Sequence, residues 1–434
     1  MSPIVIGVLG VVAMSLLLVG GMRIAYATAL SGLLGLILLR GPDAAAGLAG
    51  LMPYAETARY TLLVLPLFVL MGFLAYYAGI TSDVYHTARQ WLGHLPGGLA
   101  IATIVGCAGF AAACGASTAS AAVMGRVALP ELKKYGYDDK VAAGCVAAGG
   151  TMAIMIPPSV MMVIYGFIAE QSIGALLLAG ILPGLLQATT YSAMLYARFK
   201  VNPGLGPAIT GIRWKDRFVS LKGTWGILSL ITLIMGSMYL GWATPTEAAG
   251  VGAFGAFVLA LLRHMKWGEL RSSLLETART TAMIFAIIVG VLIFVRFLAF
   301  SGLPESLSQW VVSLPVNRYV ILVGILVLYL VLGMFLDGIG MLLLTVPVLL
   351  PAVDALGFHP IVFGVLVVRM IEIGLITPPV GLNVYVLKGV ATDIRMADIF
   401  KGAAWFVATD ILNVAILVMF PQIILLIPNT MLSG

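Results

Sequence analysis

Two segments of the chain set helix-breaking prolines beside hydroxyl and amide side chains in otherwise apolar surroundings. In GTMAIMIPPSVMMVIYG, Gly150 to Gly166, the pair Pro157 and Pro158 precedes Ser159. In EIGLITPPVGLNVY, Glu372 to Tyr385, the pair Pro378 and Pro379 follows Thr377 and precedes Asn383. Proline has no amide hydrogen and pushes the residue before it out of helical geometry. The carbonyls four residues earlier, of Ala153 and Ile154 in the first segment and Gly374 and Leu375 in the second, are therefore expected to lose their helical donors. An unpaired carbonyl in hydrocarbon costs on the order of several kcal/mol, so another helix, water or an ion must take it up. A sodium ion fits: it is a hard cation that prefers oxygen ligands, and unwound backbone plus hydroxyls supply them without a fixed charge in lipid.

Two further stretches offer the remaining ligands. CGASTAS, Cys114 to Ser120, combines glycine with small hydroxyl residues, and FLDGIG, Phe335 to Gly340, does so around a single carboxylate, Asp337. The spacing predicts one cation site between Gly115, Ser117, Thr118 and the break at Pro157 with Ser159, and a second between Asp337, Gly338 and the break at Gly374, Thr377 and Pro379 with Asn383. For a bound substrate the candidates are Ser120, Pro158, Asn383 and Arg369. Ionisable groups within a membrane are costly and usually functional. Arg369 and Glu372 stand three apart on one helix and can neutralise each other, whereas Arg369 as anchor for a carboxylate is the sharper reading. Arg126 and Arg296, nearer the ends of apolar segments, can snorkel and need no role.

The elements that must position these residues are membrane helices. Of 434 residues 61% are hydrophobic and 10% charged, with a mean hydropathy of +1.09, a composition that excludes a soluble globular domain. Apolar stretches predict about ten full spans near 4–22, 24–39, 57–79, 141–168, 173–197, 224–242, 246–262, 280–300, 360–387 and 402–426. The first lacks a basic flank and a cleavage site and is read as a retained span. The net charge of +6 reflects orientation rather than nucleic acid. Eighteen of the 24 lysines and arginines, from Arg23 through Arg89, Lys133 and Lys200 to Lys401, fall at alternate span ends. They mark the cytoplasmic side and leave both termini outside. Cys107, Cys114 and Cys145 lie in apolar segments without metal-ligand spacing and read as reduced thiols.

Two apolar segments, 96–130 and 315–351, are too long for one crossing, and the flanks of each carry one side's signal. Both are expected to be re-entrant hairpins, the first entering from the cytoplasm and the second from outside. The halves align. Val84, Ala88, Trp91, Leu92, Leu95 and Pro96 match Leu303, Leu307, Trp310, Val311, Leu314 and Pro315, and after a slip of two residues Pro130, Gly136, Pro157 and Pro158 match Pro351, Gly357, Pro378 and Pro379. The fold class expected is an all-α polytopic membrane protein built as an inverted repeat. Residues 1–222 form the first copy with hairpin 96–130 and broken helix 141–168, and residues 223–434 the second with hairpin 315–351 and broken helix 360–387. Such plans are typical of secondary transporters with substrate near the midplane. The amphipathic stretch before each hairpin is expected to lie flat at the interface, its tryptophan at headgroup level.

The blocks GASTASAAV, LPELKKYGYD, IPPSVMMVIYG, LLAGILPGLL, TPTEAAGVG, FLDGIGMLLLTVPVLLP and EIGLITPPVGLNVYV, in this order and over nearly the whole chain, resemble the large membrane subunit of the tripartite ATP-independent periplasmic (TRAP) transporters. That resemblance implies an elevator-type, sodium-driven importer of an organic acid, with two or more sodium ions bound at the hairpin tips and proline breaks. It implies two partners, a periplasmic substrate-binding protein and a small four-helix membrane subunit, here separate. It also implies residence in the bacterial inner membrane. The chain departs from the family pattern at Ala116, where a serine is frequent, and at Arg369, where asparagine is frequent. A stand-alone sodium and carboxylate symporter is the nearest alternative. A channel would need a ring of pore loops. Catalysis is not expected, since His86, His94, His264 and His359 are scattered in loops without nucleophile or metal partners.

Overall fold

A computed structural model describes residues 2–431, without the side chains of Thr81, Ala113 and Cys114. Every regular element among them is helical. Seven helices are long and apolar enough to cross a membrane by length and composition, and four shorter ones of comparable character include Pro3–Val19 and Ile24–Arg40. Helix Trp267–Ser301 has 35 residues, about 52 Å at 1.5 Å per residue. It overruns an apolar layer of about 30 Å, so the span expected at 280–300 is only its second part. An additional helix, Pro42–Thr57, lies between the second and third expected spans. Proline in its first turn, Asp43 beside the positive helix end and a run of alanines account for it.

Both segments read as hairpins are pairs of packed helices. Gly98–Cys114 and Ser117–Lys134 meet at a turn formed by Gly115 and Ala116, where Gly115 has φ of +64°. Arg318–Gly333 and Gly338–Ala355 meet at the turn 334–337. The two proline segments are interrupted helices. Asp139–Thr151 passes through a 3-10 turn, Met152–Ile154, and resumes as Val160–Ile168. Pro360–Gly374 resumes as Leu382–Val390. The peptide bonds between Pro157 and Pro158 and between Pro378 and Pro379 are cis.

Small residues set how these pieces lock. A Cβ on Gly374 would stand 2.5 Å from the backbone of Gly333, so the second hairpin touches the second interrupted helix just before its break. A Cβ on Gly115 would stand 2.9 Å from the carbonyl of Pro158, which puts the first tip on the first break. The halves also interlock reciprocally. Gly125, in the second arm of the first hairpin, lies against Leu387 of the second interrupted helix. Gly338, opening the second arm of the second hairpin, lies against Met161 of the first. Outside this core, Ile24–Arg40 crosses Trp267–Ser301 with Gly32 against the backbone of Phe294 and Gly290 against the carbonyl of Ala25, the close approach that small residues permit between apolar helices.

The amphipathic stretches form helices Ile80–Leu92 and Leu303–Ser313. The first of them is docked on protein as well as amphipathic. Trp91 donates its indole N–H to the Arg217 carbonyl at 3.1 Å, and Thr87 donates to the Ser220 carbonyl at 2.8 Å, docking this helix on Trp214–Tyr239. Its Arg89 reaches the other way, to Glu131 at 2.9 Å and Tyr135 at 2.6 Å at the base of the first hairpin. Trp310, by contrast, is exposed.

Candidate functional site

The breaks are less bare than proline chemistry alone predicts. Of the four carbonyls released, that of Ile154 accepts from the Ser159 hydroxyl at 2.5 Å. The Gly374 carbonyl accepts from the Thr377 amide at 3.1 Å, and that of Leu375 from the Asn383 amide at 3.0 Å. Only the Ala153 carbonyl has no donor among the described residues. The chain answers most of its own broken ladder by side-chain capping and tight turns. Ser159 is thereby a cap, since its oxygen also accepts from the Met162 amide at 3.2 Å, and Thr377 donates to the Ile373 carbonyl at 2.6 Å. The breaks differ in exposure: Pro157 and Pro158 are buried, whereas Pro378 and Pro379 are exposed.

A cavity of about 610 Å³ joins the two tips. Gly115, Ser117 and Thr118 line it from the first hairpin, and Asp337 and Gly338 from the second. Ile154, Val160 and Met161 enter beside the first break, Leu375 and Leu382 beside the second. Its opposite wall comes from helix Val64–Tyr77 and the long helix Trp267–Ser301. Five of the ten residues predicted as cation ligands, Gly115, Ser117, Thr118, Asp337 and Gly338, thus line this one chamber, and Pro157, Ser159, Gly374, Thr377 and Pro379 do not. Asp337 is also a helix cap: its Oδ1 accepts from the amides of Ile339 at 2.9 Å and Gly340 at 3.1 Å. Two helix N-termini, at Ser117 and Gly338, border the chamber and add their positive dipole ends to its field.

Other predicted residues lie apart from it. Gly374 is buried against Gly333. Ser120 and Asn383 are buried, and the Ser120 Oγ and Asn383 Oδ1 have no partner among the described residues, while the Asn383 side-chain Nδ2 donates to the Ala147 carbonyl at 3.4 Å. Arg369 is not a substrate anchor in this arrangement. It is fully buried, paired with Glu372 and, at 2.9 Å, with Asp410. Tyr191 donates to the other oxygen of Asp410 at 2.5 Å, and Gln187 donates to Tyr191 at 3.2 Å. Desolvation explains the placement, because a guanidinium with two carboxylates can be buried where a lone one cannot. Asp410, plainly intramembrane in the sequence, is the partner that sequence reasoning overlooked.

Sequence reasoning also missed Arg126, set aside as snorkelling, which lines the chamber. Thr118, Ala122 and Arg126 follow at four-residue intervals on one face of Ser117–Lys134, a spacing that could have found it. Glu276 and Thr280 of the long helix, and Tyr76 and Tyr77 opposite, complete the polar lining.

The family model and the curated relatives point to one family. The model described as "Tripartite ATP-independent periplasmic transporter, DctM component" matches residues 11–423. The chain is 35% identical over 397 residues to the C4-dicarboxylate TRAP transporter large permease protein DctM of Pseudomonas aeruginosa, covering 91% of this chain and 92% of that protein. It is 34% identical to the sialic acid TRAP transporter large permease protein SiaM of Vibrio cholerae, covering 86% and 88%. To the ectoine TRAP transporter large permease protein TeaC of Halomonas elongata it is 29% identical, covering 84% and 85%. Among solved structures, the YdaH transporter of Alcanivorax borkumensis shares the fold with a TM-score of 0.65 at 13% identity over 89% of this chain and 91% of that one. The chain therefore belongs to the TRAP transporter family as a DctM component, the large membrane subunit.

Proposed function

We propose that this subunit imports an organic acid by sodium symport, with the hairpins and interrupted helices moving as a unit against the remaining helices. The observation that carries the reading is the shared chamber. Both hairpin tips, with Ser117, Thr118 and Asp337, and the flanks of both breaks face one cavity whose far wall belongs to different helices. Oxygen donors for sodium from both tips then sit side by side on the moving part. The Ala153 carbonyl, without a donor, is the break oxygen most suited to the first ion.

With basic loops in the cytoplasm, the scaffold residues of the chamber, Val69 to Tyr77 and Glu276 to Ile287, belong to the inner halves of their helices. On that placement the chamber opens inward. Each negative charge imported against an inside-negative potential of about 100 mV costs about 2.3 kcal/mol, and each sodium ion entering offsets the same amount. Two or more ions are proposed. The partners proposed are a periplasmic binding protein and a small membrane subunit, in the bacterial inner membrane with both termini outside. The family favours this over a symporter acting alone.

Uptake into proteoliposomes should require a sodium gradient and the cognate binding protein. Asp337→Asn and Thr118→Ala should shift the sodium titration to higher concentration. Uptake at full rate without sodium contradicts the coupling, and an unchanged titration removes the substituted residue from the site.

A further inference from the structure

Resting on that reading of the chamber, we infer that the acid carried is a monocarboxylate with an apolar body, and that Arg126 holds its carboxylate. Among the described residues Arg126 is the one cationic side chain lining the cavity, and it makes no hydrogen bond or ion pair. Of the other intramembrane cations, Arg369 is held by two carboxylates, and Arg296, exposed on the long helix, does not line the cavity. Arg126 stands on the same helix and face as Thr118, eight residues on, about 12 Å along the axis. It therefore travels with the tip rather than with the opposite wall.

The rest of the lining limits what else the ligand can carry. Phe73, Tyr76, Tyr77 and Phe110 line it with aromatic rings, and Met161 and Met283 with thioethers. The remaining charges are negative: Asp337 at the tip and Glu276 on the long helix, whose ion pair with Arg126 is absent. A second carboxylate on the ligand would find no second cationic side chain in the lining and would meet like charge from Glu276 even with sodium at Asp337. An apolar body finds rings and thioethers.

The test is binding to the full chain in lipid nanodiscs, with phenylacetate, 4-methyl-2-oxopentanoate and succinate as probes, in sodium and in choline buffer. Both monocarboxylates should bind more tightly than succinate, and Arg126→Gln should weaken them about tenfold or more, the loss of one charge-assisted hydrogen bond, with Arg126→Lys partly restoring them. Succinate binding as tightly as either probe, failure of both monocarboxylates to bind, or an unchanged affinity in Arg126→Gln overturns the inference. Sodium distinguishes the two readings. Monocarboxylate binding that depends on Arg126 but is the same in choline leaves this inference standing and removes the sodium coupling.

Discussion

Arg369 illustrates how a single residue can invite one role and fill another. Its charge inside an apolar helix suggested a carboxylate anchor, and the carboxylates it meets are the protein's own, Glu372 and Asp410. Removing it should be severe: Arg369→Met leaves two buried carboxylates uncompensated, a loss of about 3–5 kcal/mol. Thermal unfolding of the purified protein should show it, and adding Glu372→Gln and Asp410→Asn should recover much of the loss. Equal stability of single and triple variants would deny that the network is ionic. Ser159 makes a milder case. As the cap that satisfies Ile154 and Met162, its replacement by alanine should cost about 0.5–2 kcal/mol in the same measurement, whatever it does to sodium dependence.

Among the elements, the proline breaks and hairpin turns were legible because proline and glycine act locally, on the backbone beside them. What the sequence could not disclose was where the freed groups find partners. The Leu375 carbonyl meets an amide eight residues on, across a left-handed Gly381 with φ of +59°, a closure that depends on the whole turn. Arg126 escaped for a related reason. Hydropathy places a residue along a helix, whereas lining a cavity depends on which face the neighbours leave open. Glycine contacts are the elements' most exacting feature. Gly374→Ala would drive a methyl into the backbone of Gly333 and should cost about 1–3 kcal/mol, read by unfolding, with transport lost in proportion if that contact sets the tip. A looser tie joins the first hairpin base to the loop after the second interrupted helix, where the Lys133 ammonium hydrogen-bonds Asp393 and holds its carboxyl below the usual range. Such a tie is present above the ordinary carboxylate pKa and is lost as pH falls through the depressed one. Asp393→Asn should therefore match the parent in acid and differ from it, slightly, only above that range.

At the scale of the molecule, a moving core predicts access from one side at a time. Thr118→Cys, in a background without the three native cysteines, should react with a membrane-impermeant maleimide in inside-out vesicles and resist it in right-side-out ones while the chamber stands as observed. Labelling from the outer face alone would reverse the assigned orientation. The crossed packing of Gly125 on Leu387 and of Gly338 on Met161 carries a further consequence, for inheritance. Each half of the gene encodes sockets whose plugs are encoded in the other half, so the two cannot drift or be exchanged separately. A chimera that joins the first 222 residues to the second half of a distant relative should misassemble unless both crossings are transplanted with it.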